Sequence, residues 1–252
     1  MSSINNTIHL SLRNIELYGR DTKTVTPIIS KISAGVRRGS VIAIIGPSGG
    51  GKSSLLRIMN GLMEPDGGDL FLSGIPYRDI PPRTLRRRVG MVFQEPSLFP
   101  GTVEYNLRFP FRVVGRCPSG WEQSAHSWLE QVNLNPNTVW DREIEDFSLG
   151  EKQRIALVRT LLTEPEVLLL DEPTASLDPG NTSFIVDTIC RLHQETKLTV
   201  VWVTHTLDVA RRVADRVWVI RKGVLLEEGD VNTIFEAPTH AETQRFINGD
   251  AV

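Results

Sequence analysis

Val41-Ile42-Ala43-Ile44-Ile45-Gly46-Pro47-Ser48-Gly49-Gly50-Gly51-Lys52-Ser53 is the stretch whose reading decides the fold. Val41 to Ile45 is an unbroken apolar run, as expected of a strand buried on both faces of a parallel sheet. Gly46 to Ser53 then fits G-x-x-x-x-G-K-[ST] in full. Each residue type has a physical reason. Glycines let successive backbone N–H groups turn toward one point and form an anion nest. The helix that follows aims its positive end at the same point. Lys52 adds a point charge for β- and γ-phosphates, and Ser53 offers a hydroxyl to Mg²⁺. Ser54 joins Gly46, Ser48, Gly49, Gly50, Gly51, Lys52 and Ser53 in the expected nucleotide-binding set. The bland alternative is a flexible glycine-rich turn, and the strand–loop–helix context argues against it.

Outward from this loop, Ser53 to Asn60 reads as a helix. Leu70 to Leu72 and Ile75 to Tyr77, parted by Ser73-Gly74, read as a hairpin. Val89 to Phe93, Val167 to Leu170 and Leu198 to Val203 are further short apolar strands. Ile185, Ile189 and Leu192 recur at helical spacing after Pro179-Gly180. Val217 to Ile220 and Val224 to Leu226 read as a closing hairpin through Lys222-Gly223. Alternating strands and helices imply an α/β core with a largely parallel sheet. The stretch from about Glu95 to Thr160 carries Trp121, Trp128 and Trp140 and no clear buried strand, so it reads as a mostly helical insert.

Ligands of open α/β sheets sit beyond the carboxyl ends of the strands. Val167-Leu-Leu-Leu170 ends in Asp171-Glu172. Asp171 is suited to hold Mg²⁺ through water, and Glu172 to polarise an attacking water. The bland reading is that these acids only begin a loop. His205 also ends a strand; it is either structural or a hydrogen-bond donor to a γ-phosphate.

The chain has 252 residues with a formal net charge of -2, which offers no global attraction to nucleic acid or anionic lipid. Cys117 and Cys190 stand in no metal or redox spacing and read as free thiols. No apolar run approaches the roughly 20 residues of a membrane helix. The opening MSSINNTIHL lacks a basic start followed by an apolar stretch, so no signal peptide is expected. Any link to a membrane is therefore expected to run through a partner. Arg83, Arg86, Arg87 and Arg88 form a basic cluster best read as a solvated face, and no nucleic-acid partner is expected.

These residues, in this order, resemble the nucleotide-binding subunits of ATP-binding cassette (ABC) transporters over about Ile8 to Asn248. The resemblance implies a P-loop NTPase core with a largely parallel sheet, a small antiparallel β subdomain and a helical insert. It implies one domain over 1–252, with 1–94 and 161–252 as the nucleotide-binding core and 95–160 as a helical subdomain. Gln94 matches the family's Q-loop, which senses Mg²⁺ and the γ-phosphate; with Ser53 and Asp171 it makes the implied metal set, and with Glu172 and His205 the implied catalytic set. Ser148-Leu149-Gly150-Glu151-Lys152-Gln153-Arg154 matches the signature motif, so Ser148, Gly150 and Glu151 are implied nucleotide contacts. Ser176-Leu177-Asp178 matches the D-loop, and Asp178 joins the implied nucleotide contacts. Tyr18 falls where the family stacks an aromatic ring on adenine, although Arg20 to Pro27 reads as an extended loop; a plain edge-strand tyrosine is the alternative.

Phe147, Leu149 and Glu151 depart from the common Leu-Ser-Gly-Gly-Gln. Read from the residues, Ser148-x-x-Glu151 before Ile155, Val158 and Leu162 is a capping box. Glu151 is thus expected to serve capping and ribose contact rather than γ-phosphate binding. Together with Arg87 to Gln94 and Glu166 to Thr174, the motif resembles the branch of bacterial iron-export and plant aluminium-tolerance ATPases, close to phosphate-import ATPases. In the family two such domains sandwich two ATPs. A second copy or a related ATPase subunit, an integral membrane permease, ATP, Mg²⁺ and a peripheral place on the cytoplasmic side of the inner membrane are all implied. Leu98-Phe99-Pro100 is either a permease-docking loop or part of the insert's own core. The alternative function is a soluble cassette ATPase, as in iron–sulfur cluster assembly.

Overall fold

A computed structural model describes residues 7–20 and 25–249. In chain order the elements begin with β1 (Ile8–Arg20), β2 (Val25–Arg37) and β3 (Val41–Ile45). Helix α1 (Lys52–Met59) follows, then β4 (Gly67–Leu72), β5 (Ile75–Pro76), α2 (Pro82–Arg88) and β6 (Val89–Val92). A helical stretch comes next: α3 (Val103–Val114), α4 (Trp121–Gln131), α5 (Pro136–Val139) and α6 (Leu149–Leu161). The chain then alternates through β7 (Val167–Asp171), α7 (Pro179–Thr196), β8 (Thr199–Val203) and α8 (Leu207–Val213). It closes with β9 (Arg216–Arg221), β10 (Val224–Asp230), α9 (Val231–Glu236) and α10 (Ala241–Ile247).

Two sheets result. The larger has the order β10-β9-β3-β8-β7-β6 and is parallel except for β10. Its apolar runs alternate between two cores. Ala43, Ile45, Leu168, Leu170, Val200 and Trp202 turn toward α3, α4, α6 and α7. Ile42, Ile44, Leu169, Val201, Val203 and Trp218 turn toward α1 and the smaller sheet. Burial on both sides is why the sequence shows unbroken apolar runs there. Helix α1 is short and marginal by itself. Leu55, Leu56, Ile58 and Met59 are essentially fully buried, and at about 2 kcal/mol each that burial holds it.

The smaller sheet, β2-β1-β4-β5, is antiparallel. Its β4–β5 turn has Ser73 at φ 51° and Gly74 at φ 79°, and the β9–β10 turn has Lys222 at φ 49° and Gly223 at φ 76°. Two consecutive left-handed residues match the twist of a two-residue hairpin.

The segment Arg20 to Pro27 is not an extended loop throughout. Arg20 and Val25 to Pro27 belong to β1 and β2, with Tyr18 paired to Pro27; residues 21–24 lie outside those described. Strand β1 is internal to its sheet, yet Tyr18 lies beyond the last β1–β4 pair, Glu16 with Gly67. Among the described residues no helix is long and apolar enough to cross a membrane.

Candidate active site

The loop between β3 and α1 is built from close backbone approaches. Gly46 has φ 146°, and a Cβ there would stand 1.9 Å from the Ile220 carbonyl oxygen. Gly51 has φ 93°, and its Cβ would stand 2.7 Å from the Ile28 carbonyl oxygen. Side chains at these two positions are therefore excluded by strands β9 and β2 rather than by the loop itself. Ser48 and Gly49 are exposed at the loop's tip, and Ser53 and Ser54 are half-buried in the first turn of α1. Lys52 is buried; its Nζ donates to the carbonyls of Gly46 and Pro47, each at 2.9 Å.

Strand β7 delivers Asp171 to the foot of α1. Ser53 Oγ donates to Asp171 Oδ1 at 2.8 Å. Glu172 follows in a left-handed conformation at φ 45°, and its N–H donates to the Val203 carbonyl on β8. Non-glycine residues rarely adopt that conformation, and its persistence marks a position that surrounding structure over-determines. His205, just past β8, donates from Nδ1 to Glu172 Oε2 at 3.0 Å. The adjacent strand ends thus bring Asp171, Glu172 and His205 together, as the sequence leads one to expect of a carboxyl-edge site.

Burial raises the carboxyl pKa of Asp171. The Ser53 hydrogen bond and the charges of Arg57 and Lys52 act against it. Burial lowers the ammonium pKa of Lys52, with Glu172 and Asp171 pulling it back up. Each buried charge is under-compensated within the chain, so a polyanion beside Lys52 and a cation beside Asp171 relieve both.

Gln94 completes this arrangement. A cavity of about 410 Å³ is lined by Ser53, Arg57, Phe93, Gln94, Glu95, Ser97 and Asp171. The three residues of the expected metal set therefore share one cavity. A hydroxyl, a carboxylate and an amide carbonyl are all hard oxygen donors, the chemistry Mg²⁺ takes while keeping waters and phosphate oxygens. Among the described residues no cluster of His, Cys, Asp and Glu side chains offers an all-protein metal cage.

The remaining expected residues form a second group. Ser148 caps α6 in a complete capping box: its backbone N–H donates to Glu151 Oε2 at 2.9 Å, and the Glu151 N–H donates to Ser148 Oγ at 3.4 Å. The Ser148 hydroxyl also donates to Glu151 Oε2, at 2.7 Å. That hydrogen bond is the main reason the Glu151 carboxyl titrates below the usual range. Asp178 caps α7 through the Asn181 N–H at 3.0 Å. A Cβ on Gly150 would stand 3.0 Å from Asn181, so the two helix starts abut. Among the described residues no hydrogen bond or ion pair links Ser148, Gly150, Glu151 or Asp178 to the phosphate loop. Tyr18 donates its hydroxyl to Glu16 Oε2 at 3.1 Å, which raises its pKa. Its strand partner Pro27 adjoins Ile28, whose carbonyl flanks Gly51.

Arg57 went unremarked in the sequence although it lines the cavity; its place four residues after Ser53, on the same face of α1, was the available signal. Gln153 and Arg159 reach the Gln94 segment from 60 and 62 positions away, and no local pattern reports that.

A model of the ABC transporter family matches residues 29–175. This chain belongs to that family. It is therefore an ATP-binding ATPase. The chain is 40% identical over 225 residues to the methionine import ATP-binding protein MetN of Caulobacter vibrioides, covering 88% of this chain and 67% of the relative. It is 36% identical over 241 residues to the putative ABC transporter ATP-binding protein YjkB of Bacillus subtilis, covering 95% and 94% of the two chains. Among solved structures, the ATP-binding cassette MJ0796, a dimer in a post-hydrolysis state bound to ADP and Pi, superposes with a TM-score of 0.80 at 29% identity. That match covers 88% of this chain and 98% of MJ0796. The ATPase's two-sheet architecture is thus the cassette fold.

Proposed function

We propose that this chain is the energy-coupling subunit of an ABC transporter, hydrolysing Mg-ATP at a site shared by two protomers. The observation that carries this reading is the cavity where Ser53, Gln94 and Asp171 meet, beside the Glu172–His205 pair. In this reading Gly46 to Ser54 and Lys52 hold the β- and γ-phosphates, and Ser53, Asp171 and Gln94 hold Mg²⁺. Bound there, Mg²⁺ neutralises charge on the β- and γ-oxygens. Glu172 orients the attacking water and draws off its proton. With both ring nitrogens protonated, His205 would hold the Glu172 carboxylate by Nδ1–H and donate Nε2–H to a γ-phosphate oxygen. The residues 95–160 act as a helical subdomain of a single domain.

The isolation of Ser148, Gly150, Glu151 and Asp178 from the phosphate loop supports a second protomer, whose loop they would face. The dimeric MJ0796 relative supports the same arrangement. Leu98 packs on the core while Phe99 is 40% exposed, so one residue anchors the loop and the other is offered to a membrane permease. That partner would hold the subunit at the cytoplasmic face of the inner membrane. The signature residues favour the iron-export and aluminium-tolerance branch; similarity to a methionine import protein makes methionine the competing cargo. Reconstituted transport of metals, phosphate, nucleotide sugars and methionine decides between them. Co-purification from membranes with a multi-span protein is the expected outcome, and a strictly soluble complex contradicts the transporter reading.

A further inference from the structure

The backbone around Gln94 is mounted from outside its own strand. Gln153 Nε2 donates to the Phe93 carbonyl at 2.9 Å, and Arg159 Nη2 donates to the Ser97 carbonyl at 2.6 Å. Both donors belong to α6. Gln94, Glu95 and Pro96 span the interval between the two fastened carbonyls, and Gln94 and Glu95 are exposed. Just beyond, the fully buried Asn106 of α3 accepts from the Phe99 N–H at 2.8 Å and donates to the Phe99 carbonyl at 2.9 Å. The far end of the segment is thereby fixed.

Arg159 is an expensive choice for this task. Burial lowers its pKa, and Nη1 is buried without a hydrogen-bond partner. Among the described residues no carboxylate pairs with it; its other neighbour is the Phe99 ring, 5.8 Å from the guanidinium carbon. One carbonyl and one ring face offset only part of the cost of desolvating the inner side of this half-buried cation. An uncharged side chain with the same stem would avoid that cost. What a methionine lacks is the donor that grips Ser97, and the helix holding that grip is the one that starts at the Ser148–Glu151 cap.

We propose that Arg159 is a positioning residue for ATP hydrolysis: it ties the Gln94 span to α6, so that the seating of the Ser148 end sets where Gln94 stands relative to Ser53 and Asp171. This inference rests on the role given above to Gln94. Gln153 provides the other tether, at the strand side of the span, and Asn106 the fixed point beyond it.

The test compares Arg159→Met, Arg159→Lys, Gln94→Ala and Gln94→Ala/Arg159→Met in the full chain. Turnover, ATP affinity, Tm and hydrogen exchange of residues 93–99 are measured for each. Arg159→Met is expected to lower kcat by about ten- to a hundredfold, the scale of a misplaced catalytic group, with KM and ATP affinity within about twofold. Exchange over 93–99 should quicken while exchange in β7 stays unchanged. Arg159→Lys, which retains one donor for the Ser97 carbonyl, should recover part of the rate. The double variant should be no slower than Gln94→Ala alone, because both act through one residue. Multiplying losses in the double variant, or unchanged turnover and exchange in Arg159→Met beside a crippled Gln94→Ala, overturns the proposal alone. An inert Gln94→Ala overturns the reading of Gln94 and the proposal with it. If Arg159→Met does not fold, Arg159→Lys carries the same cycle: a partial kcat loss absent from the Gln94→Ala background supports the proposal, and full wild-type exchange and turnover contradict it.

Discussion

Lys52 concentrates the electrostatics of the site in one side chain. It is buried, its ammonium pKa is lowered by that burial, and its donors are spent on two carbonyls of its own loop. Phosphate oxygens are stronger acceptors for an ammonium than neutral carbonyls because both partners are then ionised. Lys52→Ala is therefore expected to weaken ATP binding by at least tenfold, on the order of the 1.5–3 kcal/mol of one charged hydrogen bond. Calorimetric titration checks this, and an unaltered isotherm contradicts the assignment of the loop. The motif residues were legible in the sequence because each motif is contiguous, and each sits at a strand end or a helix start. Arg57, Asn106, Arg159 and the reach of Gln153 to Phe93 were not, because these contacts are made in space: Arg57 with the cavity wall, the others with backbone carbonyls.

At the scale of elements, helix α6 shows how a departure from a familiar motif keeps its local physics. Glu151 reaches back to the Ser148 N–H as a glutamine can, and adds a negative charge at the positive end of the helix. Glu151→Ala should cost about 1 kcal/mol, a Tm drop of roughly 2–4 °C for a chain of this size, and also slow turnover. Glu151→Gln should keep most of the stability. Thermal melts of both variants with ATPase assays check the pair, and an Ala variant unchanged in both respects contradicts the dual role. The parallel strands were legible because burial on both faces leaves apolar runs such as Val41 to Ile45. Strands β1 and β2 were hidden. Leu10, Leu12, Ile15 and Leu17 are the buried apolar positions of β1, but the pairing shifts register between Leu12 and Ile15, where Asn14 sits at φ 48°. That irregularity breaks the alternation that identifies a half-buried strand.

For the whole molecule, one buried cluster joins the two sheets. His9 on β1 donates from Nε2 to Glu166 at 3.3 Å, and its Nδ1 accepts from the Thr199 hydroxyl at 2.7 Å. Glu166 is also gripped by Arg88. Burial chiefly holds His9 below its ordinary 6.5; Arg38 and Arg88 push the same way, and Glu166 opposes them. The Arg88 hydrogen bond chiefly holds Glu166 below its ordinary 4.5. For both groups the unfolded chain binds protons that the folded chain releases, so stability rises with pH. On acidification the His9 contribution is lost from about pH 6.5 downward, and that of Glu166 below about pH 4.5. The urea midpoint should fall between about pH 7 and 5.5 in the wild type and fall less in His9→Gln, which cannot titrate. Equal slopes for the two proteins contradict the assignment.

The proposed function has its largest-scale consequence in the pairing of two protomers. With hydrolysis blocked, two protomers should stay closed over two nucleotides, each supplying Ser148, Gly150 and Glu151 to the nucleotide on the other's phosphate loop. Sedimentation of Glu172→Gln with and without Mg-ATP tests this most directly. A monomer is expected without nucleotide and a stable dimer with ATP, retaining about one ATP per chain with no measurable turnover. A monomer at saturating ATP, or wild-type turnover in the variant, contradicts it.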